Sequence, residues 1–93
     1  MDATVRNAED RGRYELLVDD DVVAVADYYD RGDVVVMPHT EVAHQLRGQG
    51  YGAVLVQGAL DDLRSKGKRI VPACWYVREF IDSNRDYADL LAA

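Results

Sequence analysis

Apolar and polar residues alternate through the first half of the chain, and after residue 50 the apolar spacing changes to three and four. Arg13 to Val18, Val22 to Tyr29 and Val34 to Val42 are rich in β-branched and aromatic residues and read as strands. Asp19-Asp20-Asp21 and Asp30-Arg31-Gly32-Asp33 between them are short enough for hairpin turns, which predicts an antiparallel meander. A weaker strand around Thr4 to Ala8 precedes it, joined through Glu9-Asp10-Arg11-Gly12. Pro38 has no N–H to give to a ladder, so its strand is expected to be irregular or unpaired on one side near its end.

Beyond Gly50, Val54, Leu55, Ala59, Leu60 and Leu63 recur at helical spacing, with Gln57, Asp61, Asp62 and Arg64 on the other face. Asp62 and Lys66 form a favourable i,i+4 pair, and Gly67 supplies a stop. Arg69 to Ala73 is a short strand, and Trp75, Val77, Phe80 and Ile81 mark a second helix. A last helix is expected from Ser83 as N-cap, with Asp86 three residues on and Tyr87, Leu90 and Leu91 buried. Strands, helix, strand, helices: the order predicts an α+β fold with helices laid against a mainly antiparallel sheet.

Composition narrows the partners. The chain has 93 residues, 48% hydrophobic and 30% charged, which fits one globular domain spanning residues 1–93. A formal charge of -6, with acids scattered among bases, would repel a nucleic-acid backbone and suits a cationic partner such as an amine. No apolar run approaches the roughly 20 residues that cross a bilayer, and the acidic N-terminus is unlike a signal peptide, so no membrane partner and a cytoplasmic location are expected. The single cysteine, Cys74, agrees with a reducing compartment. A chain this small is expected to be a monomer.

The chemistry concentrates between residues 39 and 52. Arg47 to Gly52 lies where a strand gives way to a helix, at the positive end of the helix dipole, and glycines at 48, 50 and 52 let backbone come close to an anion. The same glycines could serve only a tight turn. Neither the P-loop nor the G-x-G-x-x-G spacing fits.

Arg47-Gly48-Gln49-Gly50-Tyr51-Gly52 does fit R-x-x-G-x-G, and in this the chain resembles the GNAT acetyltransferase superfamily. His39-Thr40-Glu41-Val42 before the loop, Cys74-Trp75-Tyr76-Val77 after the next strand, and Asp86 to Leu90 near the end narrow the resemblance. Those segments resemble the very short GNAT-like proteins known as N-acetyltransferase domain-containing proteins, over roughly residues 13 to 91. The resemblance implies the GNAT, or acyl-CoA N-acyltransferase, fold, with a twisted sheet flanked by helices. It implies acetyl-CoA as cosubstrate and acetyl transfer to an amine, a small molecule or a protein. Arg47, Gly48, Gln49, Gly50, Tyr51 and Gly52 would then cradle the pyrophosphate, and Thr40, Glu41 and Val42 would pair with the pantetheine arm. Two departures stand out: His44 replaces a frequent proline, and the N-terminal helices that shape the acceptor pocket of larger members are missing. The alternative is a non-catalytic CoA-binding or protein-interaction module on the same fold.

Direct transfer needs a route for the amine's proton, polarisation of the carbonyl and a stabilised leaving thiolate. His39, two residues from Glu41 on a strand, is a candidate proton acceptor, and the alternative is a strand-end histidine with a satisfied hydrogen bond. Glu41 is expected in solvent or paired with a base, and His44 on the surface. Cys74 is a candidate acetyl-accepting nucleophile or a mere lining of the thioester pocket. Tyr76 is a candidate proton donor to the departing thiolate. Zinc on His39, His44 and Cys74 lacks close-spaced ligand pairs and a fourth ligand, so no metal is expected. Tyr28, Tyr29 and Trp75 read as packing.

Overall fold

A computed structural model describes residues 2–92. Four antiparallel strands, β1 (Ala3–Ala8), β2 (Arg13–Val18), β3 (Asp21–Asp30) and β4 (Val34–Val42), follow one another across a sheet whose order is also their order in the chain. The chain then crosses through α1 (Tyr51–Ser65) to β5 (Arg69–Val71), which joins β4 in parallel, and continues into α2 (Trp75–Ser83). These elements match the hydrophobic pattern closely. Alternation buries Tyr14, Leu16, Ala24, Ala26, Val35, Met37 and Ile70 on one face, where Leu55, Val56, Ala59, Leu60 and Leu63 of α1 and Val77 and Ile81 of α2 complete one core.

Local chemistry sets the ends of α1. Its C-terminus closes on Gly67 at φ +71, where Gly67 N–H donates to the Arg64 carbonyl and Lys68 N–H to that of Leu63, satisfying two carbonyls the helix leaves free. Asp62 pairs with Lys66 at 3.0 Å and accepts the Tyr14 hydroxyl at 2.6 Å, which ties the helix to β2. Gly58 lets α1 approach β1: a Cβ there would stand 2.6 Å from Cγ2 of Val5.

The C-terminal segment differs from the expected helix. Ser83 is the last residue of α2 rather than an N-cap, and the chain runs on as a 3-10 helix over Arg85–Leu90. The reason is tertiary. Asn84 interrupts α2 with its side chain on the Phe80 carbonyl, and Leu91 then bridges Ile70, so the segment covers the outer edge of β5 while Leu90 stays buried.

Pro38 acts as its chemistry requires. Asp27 pairs with His39 and Tyr29 with Val36, so Met37 and Pro38 together oppose Tyr28, and β4 carries a bulge. The extra residue shifts the pleat by one. Val35 and Met37 face the core before it, and Thr40 and Val42, opposite buried Ala26 and Ala24, continue that face after it. His39 and Glu41 are thereby turned to the other side.

That other side is open. Leu17, Val25, Val34 and Val36 are only half-buried there, whereas Glu15 on the same side is fully buried. Its carboxylate accepts from Arg6 at 2.7 Å, Arg11 at 2.8 Å and Arg13 at 2.8 Å. Burial alone would raise its pKa, but hydrogen bonds from Arg6, Arg13 and Arg11 outweigh it and bring the carboxyl from 4.5 down to about 2. A depressed pKa stabilises the fold above the unfolded value and ceases to do so as pH falls through the folded one. Glu15→Gln is therefore expected to cost about 2 kcal/mol at neutral pH. Its deficit should shrink between pH 4.5 and about 2, as followed by urea denaturation of both proteins; a deficit independent of pH would contradict the charge-based account.

Candidate functional site

The site begins where two strands stop pairing. β4 and β5 pair through Val34, Val35 and Val36, and beyond them the Cys74 N–H donates to the Met37 carbonyl at 2.9 Å. From Pro38 to Val42 the β5-side edge of β4 has no strand partner among the described residues, and apart from the Val42 carbonyl, which accepts from Arg47, it can meet a ligand that imitates a strand. A cleft of about 650 Å³ opens here between Pro38–Val42, Ala73–Tyr76 and the loop leading into α1.

The loop supplies the complementary end of the cleft. Arg47, Gly48, Gly50, Tyr51 and Gly52 line it, whereas Gln49 does not. α1 starts with Gly50 as N-cap, and no side chain caps it. The first turn of a 15-residue helix thus brings its positive pole to the cleft. Arg47 braces the loop against the strand, its Nε donating to the Val42 carbonyl at 3.2 Å. Its remaining guanidinium N–H groups can still donate to an anion.

The three glycines serve different purposes. Gly48 and Gly50 adopt φ of +81 and +86, and a Cβ at either would meet nothing, so dihedral freedom is what they provide. Gly52 has no such φ. A Cβ there would stand 2.6 Å from the Tyr76 hydroxyl, so this glycine lets α1 and α2 meet and seats the phenol at the cleft.

The remaining candidates fall on two sides of β4. Cys74 is buried as the residue before α2, with Sγ 3.8 Å from Oγ1 of Thr40 on the core side. His39 and Glu41 lie on the open side, 56% and 62% exposed, with Nε2 to Oε1 at 3.6 Å. Both pairs line the same cleft, yet no hydrogen bond joins His39 to Cys74 among the described residues. Tyr76 has its pKa raised, first by burial and then by the charge of Glu79, so it keeps its proton at neutral pH. His44 lies exposed in the turn after β4.

The aromatic residues depart from expectation. Tyr28 packs on Tyr14 with centroids 5.2 Å apart, but Tyr29 and Trp75 are 60% and 72% exposed. Trp75 is carried to the cleft rim on the first turn of α2, edge-on to Tyr76 at 5.8 Å. Sequence reading also missed the Gly52–Tyr76 contact and the three arginines around Glu15. The alternation Arg13, Glu15 on a strand whose other face is Tyr14, Leu16 was the available signal for the second, whereas the first joins residues from different elements.

A mostly antiparallel five-stranded sheet that parts between β4 and β5 beside an uncapped glycine-led helix defines a GNAT-like fold. A family model described as GCN5-related N-acetyl-transferase matches residues 13–90, and the chain belongs to that family. A similar solved structure is the NMR solution structure of a GCN5-like protein from Staphylococcus aureus, described as a candidate N-acetyltransferase. The two share 18% identity at a TM-score of 0.72, over 97% of this chain and 88% of that one. Among curated proteins no match to the chain was found. Among the described residues no helix is long and apolar enough to cross a membrane, and no cluster of three or more His, Cys, Asp or Glu is placed to hold a metal ion.

The two kinds of glycine can be separated by experiment. Gly52→Ala is expected to displace the Tyr76 ring and alter the fluorescence of Trp75 beside it. Gly50→Ala, which strains the loop by about 1–2 kcal/mol, should lower the melting temperature and leave that fluorescence unchanged. Equal spectral changes in both variants would refute the division.

Proposed function

We propose that this chain is one domain that binds acetyl-CoA in the β4–β5 cleft and transfers the acetyl group to an amine. The observation that carries the reading is the meeting, in one cleft, of an unpartnered strand edge with an uncapped helix N-terminus. A flexible chain of amides ending in a pyrophosphate matches both: amides pair with a strand edge, and anions favour free N–H groups at a helix start. In this reading the backbone of Thr40, Glu41 and Val42 holds the pantetheine arm. Arg47 and the backbone of Gly48, Gln49, Gly50, Tyr51 and Gly52 hold the pyrophosphate, although Gln49 lies outside the cleft lining.

Acetyl-CoA supplies an activated thioester. Starting from the ammonium form of the acceptor, transfer forms an amide C–N bond and breaks the C–S bond; nitrogen loses two protons, of which one goes to bulk and one is made good on sulfur, which leaves as the thiol. His39, exposed beside Glu41 on the open side, is the group we assign to accept the amine's proton. Tyr76, still protonated and lining the cleft, is the group we assign to give one to sulfur. Cys74 borders the same cleft, and a route through acetylated Cys74 would exchange one thioester for another before the amine attacks. A non-catalytic module that only binds CoA is the second reading, favoured by the exposure of His39 and Glu41.

Isothermal titration with acetyl-CoA should show saturable binding, and Gly50→Trp should weaken it at least about tenfold by filling the loop where a phosphate must sit. A folded protein that takes up no acetyl-CoA at high concentration would sink the reading. Given turnover with an amine, Tyr76→Phe is expected to lower kcat by about tenfold or more with little change in the KM for acetyl-CoA, and His39→Ala should lower kcat/KM at neutral pH. Mass spectrometry of the protein after acetyl-CoA alone distinguishes an acetylated Cys74 from direct transfer. Binding without CoA release across an amine panel would favour the non-catalytic module.

A further inference from the structure

The cleft has one end at the glycine loop and one end that is closed. At the first, α1 begins, and the loop before it is pinned to β4 by the Arg47 Nε on the Val42 carbonyl. At the second, β4 and β5 are still joined: the Cys74 N–H donates to the Met37 carbonyl at 2.9 Å, and Val36 pairs with Val71 behind it. The lining accordingly stops at Pro38, Ala73 and Cys74, and Met37 beyond them is fully buried. A chain laid along the edge of β4 from the loop therefore runs into a wall.

That wall is part of the core. Cys74, only 8% exposed, belongs to the same buried cluster as Met37, Leu55 and Val77. Its thiol donates to Oγ1 of Thr40 at 3.8 Å, so side chains from the two walls of the cleft meet on the core side. Interiors packed to this density take an added methylene group only by shifting their neighbours.

Length decides what reaches the wall. From Val42 back to Pro38, β4 advances about 13 Å at the rise of an extended strand. The arm of CoA between pyrophosphate and sulfur has about twelve chain atoms, the equivalent of about four residues of extended backbone, so it also spans about 13 Å. With the pyrophosphate in the loop and the amides on the edge of β4, the sulfur comes level with Pro38, and the acyl group falls among Pro38, Thr40 and Cys74.

We propose that Cys74, with Thr40 and Pro38, gauges the length of the acyl chain, so that the donor is acetyl-CoA and thioesters of longer acids are turned away by size. The assignment rests on the acetyl-CoA reading above. It gives the buried thiol a role that depends on its volume and requires no thiolate. Each methylene beyond acetyl either displaces packed core or lifts the arm from the strand edge, and affinity falls stepwise with chain length.

Calorimetry with acetyl-, propionyl- and butyryl-CoA reads the gauge without an acceptor. Acetyl-CoA is expected to bind at least about tenfold more tightly than butyryl-CoA, with propionyl-CoA between them. Cys74→Ala opens a space about one methylene group in size and is expected to bring propionyl-CoA to the level of acetyl-CoA. Thr40 is only half-buried, so Thr40→Ser trims the opposite wall without opening the core and should narrow the same gap if Cys74→Ala fails to fold. Cys74→Ser, close to cysteine in size, is expected to keep the wild-type order, and loss of the order there would make thiol chemistry rather than volume the determinant. In methyl-labelled protein, replacing CoA by acetyl-CoA should move the Thr40 methyl resonance. Equal or rising affinity along the series, a gap that neither Cys74→Ala nor Thr40→Ser narrows, or an unmoved Thr40 methyl would overturn the gauge. Binding of acetyl-CoA in the same titrations separates the failures: acetyl-CoA bound with any of those outcomes rejects the gauge alone, and a folded protein that leaves it unbound rejects the underlying reading as well.

Discussion

The structure depends on the short reach of β5. Three residues pair it with β4, and the Cys74 N–H then takes the Met37 carbonyl, so the two strands part while β4 runs on for five more residues. A longer β5 would satisfy the edge of β4 and leave nothing for a ligand to bind. Because the loop after β4 returns the chain into α1, the uncapped start of that helix stands beside the same edge, and because α2 follows β5 after three residues, Cys74 and Tyr76 form the facing wall. The cleft is the consequence of where one ladder of hydrogen bonds ends.

The bulge at Pro38 is the second determinant. A regular β4 would have put His39 and Glu41 on the core side with Val35 and Met37; the extra residue puts Thr40 and Val42 there instead. The cleft therefore has an apolar, sulfur-bearing side and a charged side, divided by one strand. In the proposed function, that division would put the thioester against the apolar side and the acceptor on the charged one. The bare face is also where this short chain differs from a larger α+β fold with helices on both sides, and its stability there comes from three arginines around one buried glutamate rather than from packed apolar residues.

Much of this was legible in the residues. Each strand and the two α-helices follow from periodicity, and the proline and glycine signals marked the bulge and the end of α1. The glycine loop could be recognised as an anion-binding candidate because strand-to-helix junctions have simple chemistry. The helix expected from Ser83 was not, since a favourable N-cap sequence competes with the pull of Leu90 and Leu91 toward β5. Trp75 was read as packing because a large apolar residue usually is, and nothing in its local sequence places it on a rim.

The sequence by itself determined the five strands and two α-helices, their order and the family to which the chain belongs, because these rest on side-chain period, turn chemistry and a local loop motif. Only the tertiary structure decided which face of β4 each candidate occupies, which glycine is needed for φ and which for contact, and which charges meet across the sheet. Those outcomes depend on register and on residues far apart in the chain. A one-residue slip reverses them without altering the hydrophobic pattern from which the strands were read.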